Sequence, residues 1–387
     1  MRFIHFEESE YAERRQRAVA AAQENALDAL LIFTQESMYY LTGYDTTGYV
    51  KFQGMVLTSD GAPHLLTRSA DLRQAALTSI IDDVRIWIDR EGADPGKDLQ
   101  EMLADLGLAN KRVGVETDAY GLTGKRWDMV RRPLDGFCSY EDCSTMLSNL
   151  RLVKSPTEMT CVKRAAELAD IGLAAAEAAI APGVPENEVL AAMHEAQFRA
   201  GGDYTASRFI IGSGPRALMC RNFAGYDVIG NDDQVQLEFS GVSHHYHACL
   251  MRTVLTGTPN PRHLEMHKVG LEALQACEEE VRPGRTFGDV FDAHARVVDA
   301  AGYKKHRLNA CGYTLGAQYP PCWMGTDEPM IYAGNPIEFE PDMVIFLHMI
   351  LMDSDTGITM CPGETVRVLP DGCERLSKAS LDLVVKQ

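Results

Sequence analysis

Glu238, His348 and Glu364 are the residues best suited to acid–base chemistry as a set. Each stands in a strand-like stretch: Gln234 to Ser240, a run around 343–352, and another around 362–369. Alternate side chains of a strand share a face, so three neighbouring strands would present all three groups to one pocket. Two carboxylates confined together repel, which raises one pKa and separates a proton donor from an ionised base or nucleophile. An imidazole beside them moves protons near neutral pH. The expected roles are Glu238 as the attacking or water-activating carboxylate, His348 as proton shuttle, and Glu364 as the group that orients or shares the proton. The competing reading of His348 is structural, because Phe346, Leu347 and Met349 are apolar and a buried polar group must be paired in any case.

Other residues would complete such a pocket. Arg221, after Cys220, has a planar fork that pairs with two carboxylate oxygens, although a structural salt bridge would use it equally well. Tyr313, Tyr319 and Trp323 would wall a cationic or amidine substrate through cation–π contact, or serve as core. His244 and His245 read as solvated turn residues, whereas His247 stands evenly between substrate binding and structure. The ten cysteines contain no CxxC pair, which argues against a zinc ribbon or a redox dithiol and favours reduced thiols acting as small core residues.

The net charge of −18 disfavours nucleic acid, which demands a positive face. No run of 18 apolar residues suggests a membrane span. The opening Met1-Arg2-Phe3-Ile4-His5-Phe6-Glu7-Glu8 lacks an apolar signal core, so a cytoplasmic location is the expectation.

The length of 387 residues predicts two domains. In the first, a helix is expected from Tyr11 to Asn25, a central strand at Ala29–Phe33, a hairpin around Asp60-Gly61, and strands at Val84–Ile88 and Arg112–Glu116, which together make an α/β domain over 1–153. Ser155-Pro156-Thr157-Glu158 marks the junction, with an N-cap serine, proline at the first helical position and glutamate placed for a capping box. The helix it opens runs to about Ile180, and Pro185 starts the next. Beyond Phe209 strands dominate: an antiparallel pair at 234–240 and 246–255, then late strands near 309–318, 343–352 and 362–369, with helices near 262–281 and 287–301. Residues 154–387 therefore read as α+β.

The junction Leu152-Val153-Lys154-Ser155-Pro156-Thr157-Glu158 resembles that of creatinases and prolidases. Leu237-Glu238-Phe239-Ser240-Gly241 through Arg252-Thr253 resembles the central hairpin of their catalytic domain, Glu340-Pro341-Asp342-Met343-Val344 the turn before a later active-site strand, and Gly363-Glu364 to Gly372 the last hairpin. The resemblance implies a pita-bread catalytic domain behind a smaller α/β domain, and a homodimer in which a partner residue completes each site. Lys51 matches the basic residue that holds a substrate carboxylate across the creatinase dimer; an ordinary exposed lysine is the alternative.

The peptidases of this family bind two metal ions through two aspartates, a histidine and two glutamates. At those positions the resemblance places Glu238, Cys249, Tyr313, His348 and Glu364, so four of five differ, and neither metal nor another cofactor is expected. Creatinase works without metal, but its catalytic histidine corresponds to Arg221 and a substrate-site glutamate to Met251. The segments Tyr246–Thr253 and Gly312–Gly316, followed by Tyr319–Trp323, are more similar to ectoine hydrolases, whose nucleophile corresponds to Glu238. The expected function is metal-independent hydrolysis of an amidine or amide C–N bond in a small zwitterionic metabolite. The alternatives are an Xaa-Pro dipeptidase-type metallohydrolase, a catalytically inactive binding protein of the same fold, and a lyase in which a desolvated base abstracts a carbon-bound proton.

Overall fold

A computed structural model describes residues 2–222, 225–325 and 329–387. The chain divides into two compact units between Arg151 and Leu152.

The first unit alternates helices and strands. They are α1 (Glu8–Glu24), β1 (Ala29–Ile32), α2 (Gln35–Thr42), β2 (Gly54–Thr58), β3 (Pro63–Arg68), α3 (Leu72–Thr78), β4 (Asp83–Trp87), α4 (Pro95–Asp105), β5 (Arg112–Val115), α5 (Gly124–Leu134), β6 (Ser139–Asp142) and α6 (Ser144–Asn149). The sheet order is β4-β3-β2-β1-β5-β6. β1 is apolar throughout because it is buried on both faces: Leu30 and Ile32 join one core, Ala29 and Leu31 the other. Lys51 lies in this unit, exposed, directly after a 3₁₀ turn at Gly48–Val50.

The second unit opens with α7 (Pro156–Ala179), where the Ser155 hydroxyl accepts from the Glu158 amide and Glu158 accepts from the Ser155 amide. There follow α8 (Glu186–Arg199), β7 (Ile210–Ser213), β8 (Gln234–Ser243), β9 (Tyr246–Thr256), α9 (Pro261–Glu280), α10 (Phe287–Ala300), β10 (Ala310–Thr314), β11 (Met330–Tyr332), β12 (Val344–His348), β13 (Leu351–Asp353), β14 (Ile358–Met360), β15 (Gly363–Leu369), β16 (Gly372–Arg375) and β17 (Val385–Lys386). The main sheet runs β11-β10-β12-β15-β9-β8-β7, with β16 added to β15 and β17 to β9. The strand expected near 309–318 stops at Thr314, and the one near 343–352 is interrupted at Met349-Ile350.

Period-2 alternation sorts this sheet into two faces. Val235, Leu237 and Phe239 of β8, with Leu250 and Val254 of β9, pack on Ala169, Leu173 and Ala176 of α7 and on Val189 and Met193 of α8. Ile345 and Leu347 of β12, with Val366 and Val368 of β15, pack with residues of α9 and α10. The helices thus cover one face, and the alternate residues look away from them. β8 comes unusually close to α7, since a Cβ on Gly241 would stand 2.0 Å from the Ala165 carbonyl oxygen.

Candidate active site

Glu238 stands on the face without helices, half-buried, opposite Met251 of β9 and Ile210 of β7. Cys249 and Thr253 share that face through the same alternation, and Thr253 donates its hydroxyl to Gln236, the next residue of β8 on that side, at 2.7 Å. Tyr313 enters from β10, opposite Phe346 of β12. The ring of His348 lies 5.6 Å from that of Tyr313 and 5.7 Å from that of Phe346. The strand pairing therefore gathers Glu238, Cys249, Tyr313 and His348 on one side of the sheet.

A hydrogen-bonded pair lies close to Glu238. Trp323 Nε1 donates to the Tyr313 hydroxyl at 2.8 Å, and that hydroxyl is near enough to Glu238 to favour its charged form. An indole N–H can only donate, so it occupies a lone pair of the phenol oxygen and leaves the phenol O–H for the carboxylate. Burial pushes the Glu238 carboxyl up to about 7, while Arg221 and the nearby Tyr313 hydroxyl hold it back. Burial likewise drives Tyr313 well above its ordinary value, with Cys249 and Glu238 adding to the effect, so it stays a neutral donor. If Glu238 must be ionised to act, Tyr313→Phe removes a neighbouring hydroxyl that favours the charged form and raises its pKa. The rising limb of the pH–rate profile is expected to move to higher pH, measured as kcat/KM against pH.

His348 differs from the expected shuttle. Burial, reinforced by His294, depresses its pKa to about 3, and its Nδ1 has no protein partner. Protonation near neutral pH is unfavourable there, so the ring acts as neutral imidazole. The Cys249 thiol is pushed well above its ordinary value by burial and by Glu238, which keeps it a thiol, while the backbone of Cys249 exchanges two hydrogen bonds with the Thr365 hydroxyl at 2.8 and 2.9 Å. Cys220 lies against Met352, Sγ to Sδ 3.4 Å, and its thiol too is raised by burial and by Glu238. Arg221 is exposed and close enough to Glu238 to lower its pKa.

Three expectations are corrected. Glu364 does not join Glu238. It has the parity of Val366 and Val368, sits opposite Leu347, and is buried on the helix-packed face in an ion pair with Arg252. The residue of β15 that looks toward the site is Gly363, paired with both His348 and Met251. His247 is not a substrate contact: it is fully buried, Nε2 accepts from the Ala206 amide at 3.0 Å, and Nδ1 donates to the His245 carbonyl at 2.7 Å. Burial lowers its pKa to about 3, so it is a neutral strut between two backbone segments. Tyr319 is buried and stacks on His245 with 4.2 Å between ring centres, so both residues help to seat the loop after Thr314. That loop is tied down further by the Gln318 amide on the His245 carbonyl (3.0 Å) and the His247 amide on the Gly316 carbonyl (3.2 Å). Residues not singled out from sequence also surround Glu238. Cys361 feels its charge, and Cys322 lies close enough to Tyr313 and Cys249 to raise both their pKa values. The position of Cys322 inside the Tyr319–Trp323 segment was the available signal.

A two-metal centre does not fit this residue set. The first four positions that the resemblance assigns to metal hold Glu238, Cys249, Tyr313 and His348, and the pairing of β15 turns Gly363 rather than Glu364 toward them. A Cβ on Gly363 would stand 2.9 Å from the Met251 Cβ and 3.0 Å from the Phe346 ring, so Met251 and Phe346 fill the room a fifth ligand needs. Among the described residues no three histidine, cysteine or carboxylate ligand atoms converge here. The one such group is His306, Asp353 and Asp355, where Arg262 already binds Asp353 at 2.7 Å and Lys305 pairs with Asp355. No described helix is long and apolar enough to cross a membrane.

Known proteins share this architecture. An uncharacterised hydrolase/peptidase of Sinorhizobium fredii is 30% identical over 377 residues, covering 93% of this chain and 92% of its own. The ectoine hydrolase of Halomonas elongata is 25% identical over 399 residues, covering 99% of each. A dipeptidase structure from Mycobacterium ulcerans superposes with a TM-score of 0.85 at 24% identity, over 98% of this chain and 99% of that one. Residues 14–153 match the Creatinase/Prolidase N-terminal domain and residues 160–369 match Metallopeptidase family M24, so the chain belongs to that family and carries its pita-bread catalytic fold behind a creatinase-type N-terminal domain.

Proposed function

We propose that the protein is a hydrolase that cleaves an amidine or amide C–N bond in a small zwitterionic metabolite without a metal ion, in the manner expected of an ectoine-hydrolase-like member of the family. The observation that carries this reading is Glu238 set between Arg221 and the hydrogen-bonded Trp323–Tyr313 pair, on the face where the resemblance places the metal of the peptidases. A carboxyl near 7 is divided between its two forms at neutral pH, which suits a group that first takes and then returns a proton. Ionised Glu238 takes a proton from a water molecule as its oxygen bonds to the electrophilic carbon. The C–N bond then breaks, and Glu238 gives that proton to the departing nitrogen. Tyr313 holds the carboxylate in place throughout. Arg221 offers a counter-charge for a substrate carboxylate, and neutral His348 lines the pocket without adding charge.

The experiment is a turnover screen of ectoine, creatine, related cyclic amidines and Xaa-Pro dipeptides, each with and without chelator, alongside metal analysis of protein purified without added metal. A cyclic amidine or related amide is expected to turn over at a rate the chelator leaves unchanged. Chelator-sensitive cleavage of a dipeptide would establish the metallopeptidase reading instead. No turnover across the panel would favour a binding protein.

A further inference from the structure

Tyr204 and Tyr226, the two most exposed aromatic side chains among the described residues of the second unit, stand with Phe198 around one cleft. Tyr204 is 84% exposed, Tyr226 79% and Phe198 40%, values that leave whole ring faces to solvent. They border a cleft of about 830 Å³ with His194 and Phe209 behind them. His194 stacks nearly parallel on Phe209, centres 4.4 Å apart at 12°, and on Phe198 at 5.9 Å and 18°, while Tyr204 meets Phe198 edge-on at 5.0 Å. Burial lowers the pKa of His194, which keeps this stack uncharged. Contiguous exposed apolar surface of this kind marks a place where something binds, and a cleft of several hundred Å³ walled by aromatic rings is the ordinary form of a small-molecule site.

Two parts of the cleft's lining lead along the chain to the candidate active site. One is the segment from Thr205 to Phe209, which leads directly into Ile210, the residue opposite Glu238. The other is Pro320 and Pro321, in the loop between Tyr313 and Trp323, which are hydrogen-bonded to each other. Arg208 is the one charged side chain lining it among the described residues, and the other walls are uncharged.

We propose that this cleft is a substrate subsite that takes a planar aromatic ring, so that the C–N compound cleaved at Glu238 bears an aryl group. The inference rests on the proposed hydrolytic reading for its orientation, but the ring preference can be measured without turnover. Aromatic rings stack offset or edge-to-face, and each such pair contributes roughly 0.5–1.5 kcal/mol beyond area burial.

The test is calorimetric titration of the full-length Glu238→Gln protein with phenylacetamide and with acetamide, two amides that differ by the ring. Phenylacetamide is expected to bind at least tenfold more tightly. Phe198→Ala with Tyr204→Ala in the same background should reduce that preference at least fivefold, whereas Tyr332→Ala, which removes an exposed aromatic from β11, should leave it unchanged. Equal binding of the two amides overturns the proposal, as does a ring preference that survives the double substitution. It is also overturned if the double substitution lowers the mass in sedimentation and leaves the ring preference intact, for the patch is then the seat of a second copy. The hydrolytic reading fails separately, if Glu238→Gln retains turnover while the ring preference stands.

Discussion

Glu238→Gln is expected to lower kcat by about 10²–10⁴-fold, the range seen when a positioned general base is removed, with little change in KM. The substitution keeps the shape of the side chain and a carbonyl oxygen to accept from Tyr313, so the strand pairing to Met251 and Ile210 is preserved. What it removes is a proton acceptor that burial holds near pH 7. The wild-type kcat/KM should therefore climb as pH rises through about 7, because the ionised form is the active one. The variant should lose that limb as well as the rate. Retention of near wild-type turnover would remove Glu238 from the chemistry. The measurement is a steady-state pH profile of both proteins on the substrate found by the screen, with circular dichroism to confirm matched folds.

Glu364→Gln should have the second large effect, on stability rather than rate. Its partner Arg252 is 6% exposed, and the pair sits under the helices on the far face from Glu238. Removing one member of a buried ion pair leaves the other charge unpaired, which costs roughly 3–5 kcal/mol. Melting of the second unit should fall by about 10 °C, given a few degrees per kcal/mol for a unit of this size. Turnover per folded molecule, assayed well below the transition, should stay within about twofold of wild type. Joint replacement by apolar residues, Arg252→Met with Glu364→Leu, is expected to recover much of the loss, because no charge is then left buried. Loss of turnover in a well-folded Glu364→Gln protein would return Glu364 to the catalytic set.

The contrast between these two glutamates separates what local sequence specifies from what packing specifies. The helices, most strands and the junction were legible because their signals are short-range. The Ser155–Glu158 capping box forms as the spacing requires, the Asp60-Gly61 turn joins β2 to β3, and β1 reads as apolar on both faces because both faces are buried. The placement of Glu238 and His348 on one face was also legible, through motif order and period-2 alternation. Glu364 was not, because one residue of register turns every side chain of a strand to the other face. Val366 and Val368 share its parity, but apolar alternation in a strand buried on both sides does not say which side faces helices and which faces the cleft. That was decided by α9 and α10 packing on the sheet.

Protonation states lay outside the sequence for the same reason. A histidine in isolation titrates near neutrality, yet His348 and His247 are both held neutral by the protein enclosing them. A tryptophan and a tyrosine ten residues apart read as pocket walls, and become a hydrogen-bonded pair once the loop is pinned by His245 and His247. Residue types and spacing named the fold and most of the groups on the site's face. Desolvation, strand register and backbone partners assigned their charges and directions, because each depends on residues that only the folded chain brings together.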